Sequence, residues 1–454
     1  MINPVFDAFV RKSPVTVMAR GMMERAFNPE QLDEWFENTA EFQYTRDLLF
    51  SSIFGIMTQV VCGYHKSVHA AFQDSKENIG VSITSVYNKI NGIEPKTSAG
   101  LVRYAAGQMQ PLIKQLGTGQ EPLIPGFRVK LLDGNCIAAT EHRIKKLRPL
   151  AAGALPGKSL VVYDPSLRIP IDVFPCEDGH AQERSLLQEL LPTVENADLW
   201  IADRNFCVRS FLFGIDAADA YFIIRQHAKL PYTPIGEEKA SGSIDGCNVF
   251  EQDIIVTDEA GKQCIFRRIR ISLDKATRDG DKEIFLIANL PRKKVNAKQL
   301  AVLYRKRWKI ETAFQELTTH LKCEINTLGY PRAALFAFCV ALISYMVLAI
   351  IKAALSGVYG ADRIDKEFSG YYLADELSAI YPGMMIAIPH EHWFIFQQYS
   401  QAQLISILKQ LAKNVNLSRF KKHPRGPKKP VPKRKSDPKH PHVSTARILT
   451  ERKM

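Results

Sequence analysis

In the stretch YRKRWKIETAFQELTTHLK, Tyr304 to Lys322, the first carboxylate, Glu311, stands behind four bases: Arg305, Lys306, Arg307 and Lys309. On a helix such an acid can pair with Arg307, four residues earlier. It can also bind metal, because carboxylate oxygens suit Mg2+ or Mn2+. Two more acids follow apolar runs: Asp133 closes FRVKLLDG and Asp203 closes ADLWIADRNF. Carboxylates gathered at one point repel unless a cation holds them. Two such ions about 4 Å apart activate an attacking oxygen and stabilise the leaving one in phosphoryl transfer. The bases around Glu311 would then face the phosphates of a substrate. Each acid alone has an ordinary explanation, since Asp-Gly after a strand is a common turn. The three in this order carry more than any one of them. His180 and Glu183, in GHAQE, have two readings, neighbours of this site or, the more ordinary one, part of a surface helix.

For the three acids to meet, they must sit on elements that share a crevice. In open α/β sheets the ends of the strands do so. The region 121–227 has the order β, β, β, α, β, α, β. FRVKLLDG is a strand ending at Asp133, and KSLVVYDPSLRIPIDVFP a hairpin turning at Asp164, Pro165 and Ser166. GHAQERSLLQELLPTV is a helix, ADLWIADRNF a buried strand, CVRSFLFGIDAA a helix and AYFIIRQH a strand. This is a mixed sheet covered by helices. Residues 228–294 stay β-rich and read as an insertion. Residues 295–415 return to helix at NAKQLAVLYRKRWKIETAFQEL, with Asn296 as cap. Tyr304 to Lys322 reads as one amphipathic helix. At 100° per residue Tyr304, Arg307, Glu311 and Thr318 share a face, and Lys322 falls within about 20° of it.

Residues 1–120 read as helical. NPEQLDEWFENTA opens on an Asn cap, and VSITSVYNKINGIEP offers Thr84 or Ser85 as cap, with a stop at Gly92 and Pro95. This succession suits a helix-turn-helix that reads DNA and suits an ordinary bundle equally. AALFAFCVALISYMVLAII, Ala333 to Ile351, is long enough to span a bilayer. With Ser344 and Tyr345 inside it, it reads instead as a helix buried in a large core, so no membrane partner is expected.

The chain has 454 residues and a net charge of +13, unevenly placed. Thirteen bases against two acids fall between Arg419 and Met454, so residues 416–454 read as a basic, Pro-rich tail that stays disordered in isolation. Eight scattered cysteines with no C-x-x-C pair argue against a disulfide framework and a zinc site. With no signal peptide at MINPVFDAFVRKSP, the expected place is the cytoplasm.

These motifs resemble those of the DDE transposases of bacterial insertion sequences, in the large group called the IS-four family. Its signature, Y-x2-R-x3-E-x6-K, reads here as Tyr304, Arg307, Glu311 and then Thr318 in place of lysine. The Asp-Gly-Asn at Asp133 and the Asp-Arg-Asn-Phe at Asp203 match as well, and the likeness runs from about residue 30 to 450. The resemblance implies a ribonuclease-H-like α/β domain with a β insertion before the last acid. It implies Asp133, Asp203 and Glu311 as catalytic ligands of Mg2+ (or Mn2+), two ions in all. It implies transposon-end DNA and target DNA as partners, with 1–120 contacting the ends, and cleavage and strand transfer inside a homodimer. Tyr304, Arg307, Thr318 and Lys322 would then contact DNA. A structure-specific nuclease and an inactive DNA-binding relative on the same fold are the alternatives.

Overall fold

The computed structural model describes residues 4–42, 47–116, 123–138, 140, 144–146, 153–277, 280–423 and 443–450. Among these, nine strands form one mixed sheet: β1 (Arg128–Cys136), β2 (Lys158–Asp164), β3 (Ile169–Cys176), β4 (Asp198–Ala202), β5 (Tyr221–Arg225), β6 (Thr233–Ile244), β7 (Cys247–Thr257), β8 (Gln263–Ser272) and β9 (Glu283–Ala288). The order across the sheet is β3-β2-β1-β4-β5-β9-β8-β7-β6. The first three strands are antiparallel neighbours, while β4 and β5 run parallel to β1. The β-rich stretch read as an insertion, residues 228–294, continues this sheet. β9 pairs antiparallel with β5, so β6 to β9 extend the same sheet.

Side chains alternate across each strand, and the two faces of the sheet feed two cores. Leu131, Ile201 and Ile223 face a large helical layer. Leu132, Trp200, Ala202 and Phe222 face a smaller one that includes Phe211 and Leu212 on the helix Arg209–Ala217. GHAQERSLLQELLPTV is not one helix. It forms three short turns, the last of which starts at Leu191 beside Pro192.

The helices used below are α1 (Pro14–Ala26), α2 (Phe50–Val61), α3 (Pro95–Gln115), α4 (Ala297–Arg305), α5 (Trp308–His320) and α6 (Pro331–Tyr359). α6 contains the apolar run flagged in the sequence, and its most apolar window is 94% buried. It is apolar all round because α1, α2, α3 and the helix Gln401–Lys413 surround it. The N-terminal helices therefore share their core with the sheet: Val15, Phe50 and Met57 belong to the same cluster as Leu131 and Ile201. Asn28 caps Pro29–Thr39 as the sequence predicts. The cap of Ile83–Gly92 is Ser82, two residues ahead of the expected Thr84 and three ahead of Ser85.

The tail is only partly legible as disorder. Residues 424–442 and 451–454 lie outside the described residues. The segments beside them are folded. Phe420 is buried in the turn Leu417–Phe420, Val443–Ser444 pairs with Ala154–Leu155, and the helix Thr445–Thr450 sets Ile448 and Leu449 against Ile144. Two apolar side chains and the Arg447–Asp178 ion pair at 2.7 Å give this basic segment something to dock on.

Candidate active site

The parallel register of β1 and β4 brings the two aspartates together. Its last matched pair is Leu132 with Ala202. Asp133 and Asp203 are the next residues on each chain, on the face shared by Leu131 and Ile201. Asp203 does end its strand, and its carboxylate caps the turn Arg204–Phe206 by accepting from the Asn205 amide at 2.7 Å. Asp133 does not end its strand, contrary to the expectation. β1 runs on to Cys136, paired only with β2. What stops at Asp133 is the ladder shared with β4, and that is enough to open the crevice.

The expected single helix from Tyr304 to Lys322 is broken twice. Between α4 and α5 the chain tightens: the Lys306 and Arg307 amides donate to Leu303 and Tyr304 at 2.8 and 3.0 Å, a bond every three residues. Residues three apart eclipse in that geometry, so Tyr304 and Arg307 stay in line. α5 then buries Ile310, Ala313 and Leu317, which turns Glu311 toward the aspartates. Arg307 Nη1 donates to Asp133 Oδ2 at 3.2 Å and Nη2 to Glu311 Oε1 at 2.5 Å. The i,i+4 pair allowed by the sequence is therefore present, and the same guanidinium also reaches the first aspartate.

The second break removes Lys322 from the helix. α5 ends at His320, and Leu321 is extended and buried. The Lys322 amide donates to Val61 O at 2.8 Å, so the alignment of Lys322 with Glu311 does not hold. Burial of Leu321 pulls the chain away, and the last turn has its own competitors: the Thr318 and Thr319 hydroxyls donate back to helix carbonyls. Thr318 and Lys322 are both exposed. They still meet, with Lys66, in a cleft of about 390 Å3.

Burial pushes the Asp133 carboxyl up to about 7; Arg307 opposes this, and Asp203 and Glu311 add to it. Burial also raises the Tyr304 hydroxyl, with Arg307 acting against the rise. A desolvated, oxygen-only cluster short of positive charge fits a hard divalent cation by donor chemistry. As the side chains stand, no three acids, histidines or cysteines among the described residues are close enough to grip one ion. Arg307 bridges Asp133 and Glu311 instead, and its Nε is buried without a hydrogen-bond partner.

Of the two readings open for Glu183, the structure favours the neighbour of the site. Asn205, two residues after Asp203, donates to Glu183 Oε2 at 3.4 Å. A Cβ on Gly134, next to Asp133, would lie 2.3 Å from Glu183 Oε1. Glu183 thus touches the residue after one aspartate and the turn after the other. It lines a cleft of about 470 Å3 with His180, Arg184 and His227. The signal in the sequence was the glycine after Asp133, which leaves room for another side chain.

Residues 125–347, just under half of the chain, match the family model described as Transposase DDE domain. All three acids lie inside that span. No curated protein matches the chain. Among solved structures, a piggyBac transposase synaptic complex with hairpin DNA is similar over 83% of this chain and 84% of that one, at 11% identity and a TM-score of 0.36.

Proposed function

We propose, from the transposase DDE domain that residues 125–347 match, that this chain is a transposase of the IS-four type. It binds transposon-end DNA, cleaves it by metal-dependent phosphoryl transfer and joins the 3′ ends to target DNA as a homodimer. The observation that carries the reading is the convergence of Asp133 and Asp203, from adjacent parallel strands, on Glu311 from α5 through Arg307. The ribonuclease-H-like reading is supported by the mixed sheet and by the β-rich stretch between β5 and the helix of the last acid. A cytoplasmic site of action is supported by the scattered cysteines, all free.

Asp133, Asp203 and Glu311 would hold Mg2+ or Mn2+, which supplies charge stabilisation to the attacking and leaving oxygens. The protein's own groups do the rest. Arg307 offers a planar fork that suits two phosphate oxygens. A scissile phosphate would draw that guanidinium off the carboxylates and satisfy its orphaned Nε. Tyr304, in line with Arg307, holds its orientation. Thr318 and Lys322 line the neighbouring cleft, where they contact the strand beyond the cut.

The test is purified full-length protein with labelled end DNA and Mg2+, scored for nicking and for joining to a target. Asp203→Asn is expected to abolish both while end binding survives, because affinity rests on cations facing phosphate. Nicking without joining would identify a nuclease instead. Near-normal nicking by Asp203→Asn would remove the site assignment.

A further inference from the structure

A second cavity lies against the other flank of α5. It has a volume of about 440 Å3 and is bounded by the β2–β3 turn, α5, α6 and the start of the basic tail. Six bases line it against two acids, Glu316 and Asp365, and both acids are already committed. Asp365 holds Arg168, with Nη2 to Oδ2 at 2.6 Å, and Glu316 accepts from Lys352 at 3.2 Å and from the Tyr345 hydroxyl at 3.0 Å. Arg305 pairs with Asp245. Lys306, Lys309 and Lys422 have no carboxylate partner among the described residues. Lys309 donates only to Pro165 O at 3.4 Å, and Lys422 to Asp365 O at 2.6 Å.

A solvated lysine face would leave these ammonium groups in water. Lys309 is half-buried instead, and burial together with the charges of Arg168 and Lys306 pulls its pKa down. The chain also adopts an unfavourable backbone to build the cavity, since Arg168 has φ +62 in the turn that delivers it. Concave shape, surplus positive charge and desolvation together specify an anion.

We propose that this cavity is an anion pocket that takes a phosphate group of a DNA strand. The choice of DNA rests on the proposed function above. Lys309 precedes Glu311 by two residues, so it points about 160° away round the helix. The pocket and the acids thus flank one helix, roughly 10–12 Å across with its side chains. At about 3.4 Å of rise per phosphate along a strand, that distance is about three nucleotides. A strand leaving the acids round the exposed end of α5 meets Lys306 and Lys309 there.

The experiment uses full-length protein in EDTA, so that neither cleavage nor metal contributes. Inorganic phosphate is titrated while tryptophan fluorescence is followed. Trp308 stands at the rim, 64% exposed, whereas Trp200 and Trp393 are fully buried. DNA affinity is measured in parallel against salt. The double variant Lys306→Gln with Lys309→Gln removes charge without orphaning a carboxylate, and circular dichroism checks its fold. The control is Lys262→Gln, on an exposed turn of the sheet extension.

A saturable phosphate response in the parent is expected to vanish in the double variant. The slope of log K against log salt should fall by about one per lysine removed, with affinity down about tenfold. Loss of the phosphate response with an unchanged slope supports the pocket and assigns it to a free phosphate anion. A double variant that keeps both the response and the slope overturns the proposal, as does an equal loss in the Lys262→Gln control. None of these readouts depends on the three acids, so inactive acid variants and an inactive pocket are separate results.

Discussion

The two halves of the candidate site are held by different means. Asp133 and Asp203 are set by main chain: five consecutive register pairs tie β1 to β4, from Arg128–Asp198 to Leu132–Ala202, with a core on each face. Glu311 is set by side chains: three apolar residues seat α5, and one arginine bridges it to Asp133. Displacing an aspartate means breaking the sheet. Displacing Glu311 from its partner needs only that Arg307 change partners. One half is preorganised, and the other can respond to a phosphate or a cation.

The largest effect that tests this contrast is loss of a strand-borne acid. Asp133→Asn and Asp203→Asn should lower nicking by at least ~10^3-fold, as expected when several kcal/mol of charge stabilisation is lost. Thermal melting should move by no more than a few degrees, since neither carboxylate holds the ladder. A variant that melts far lower would mean the aspartates are structural.

Arg307→Ala sharpens the other half. It leaves two partly buried acids facing each other, and a cost of about 1–3 kcal/mol is expected, below that for fully buried pairs. Mg2+ should then raise the melting temperature more in this variant than in the parent, because the ion has no arginine to displace. An equal Mg2+ shift in both proteins would show that Arg307 and the ion do not compete.

Glu183→Ala should reduce nicking about tenfold with the fold intact, the size expected for a group that orients rather than carries charge chemistry. Gly134→Ala, which forces Glu183 aside, should reproduce part of that loss. If neither changes nicking, Glu183 is only a neighbour.

Thr318→Lys should be smaller still. The site is exposed in the last turn of α5, where a cation is favoured by about 0.3–1 kcal/mol. The protein should fold normally and bind end DNA up to several-fold tighter, measured by titration. Weaker binding by a folded variant would show that this face does not meet DNA.

The smallest effect concerns the segment 443–450. Burial would raise the Asp178 carboxyl, but hydrogen bonds from the Arg447 guanidinium and the His180 amide outweigh it and hold the group at about 2, below its usual 3.8. A depressed carboxylate stabilises docking above the unfolded value and loses that contribution as pH falls through the folded one. Docking should therefore weaken between about pH 3.8 and 2. An acid-active protease should cut after Arg447→Ala as it does in the parent at the low end of that window. Protection that is unchanged by the substitution would mean the apolar contacts of Ile448 and Leu449 suffice.

Much of this was legible because it is local. Short apolar runs marked the strands before Asp133 and Asp203, the Asn28 and Asn296 side chains marked helix starts, and the spacing of Tyr304, Arg307 and Glu311 marked a shared face. The failures are places where distant contacts override local preference. Lys322 left its helix because Leu321 is buried and Val61, far away in sequence, offers a carbonyl. How the β insertion joins the main sheet is likewise a distant matter, since β5 presents an open edge to β9. Residues 443–450 docked because Asp178 and Ile144 wait for them.

By itself, then, the sequence determined which side chains can do chemistry and on which kind of element each sits. Only the tertiary structure decided that β1 outruns β4 beside its aspartate, that Arg307 spans two acids, and that Glu183 and the cationic cavity behind α5 adjoin the site. The reason is physical. Periodicity and capping act over a few residues, whereas register between strands and the pairing of buried charges are settled by groups far apart in sequence, 70 residues for Arg128 and Asp198 and 174 for Asp133 and Arg307, which meet only once the core has closed.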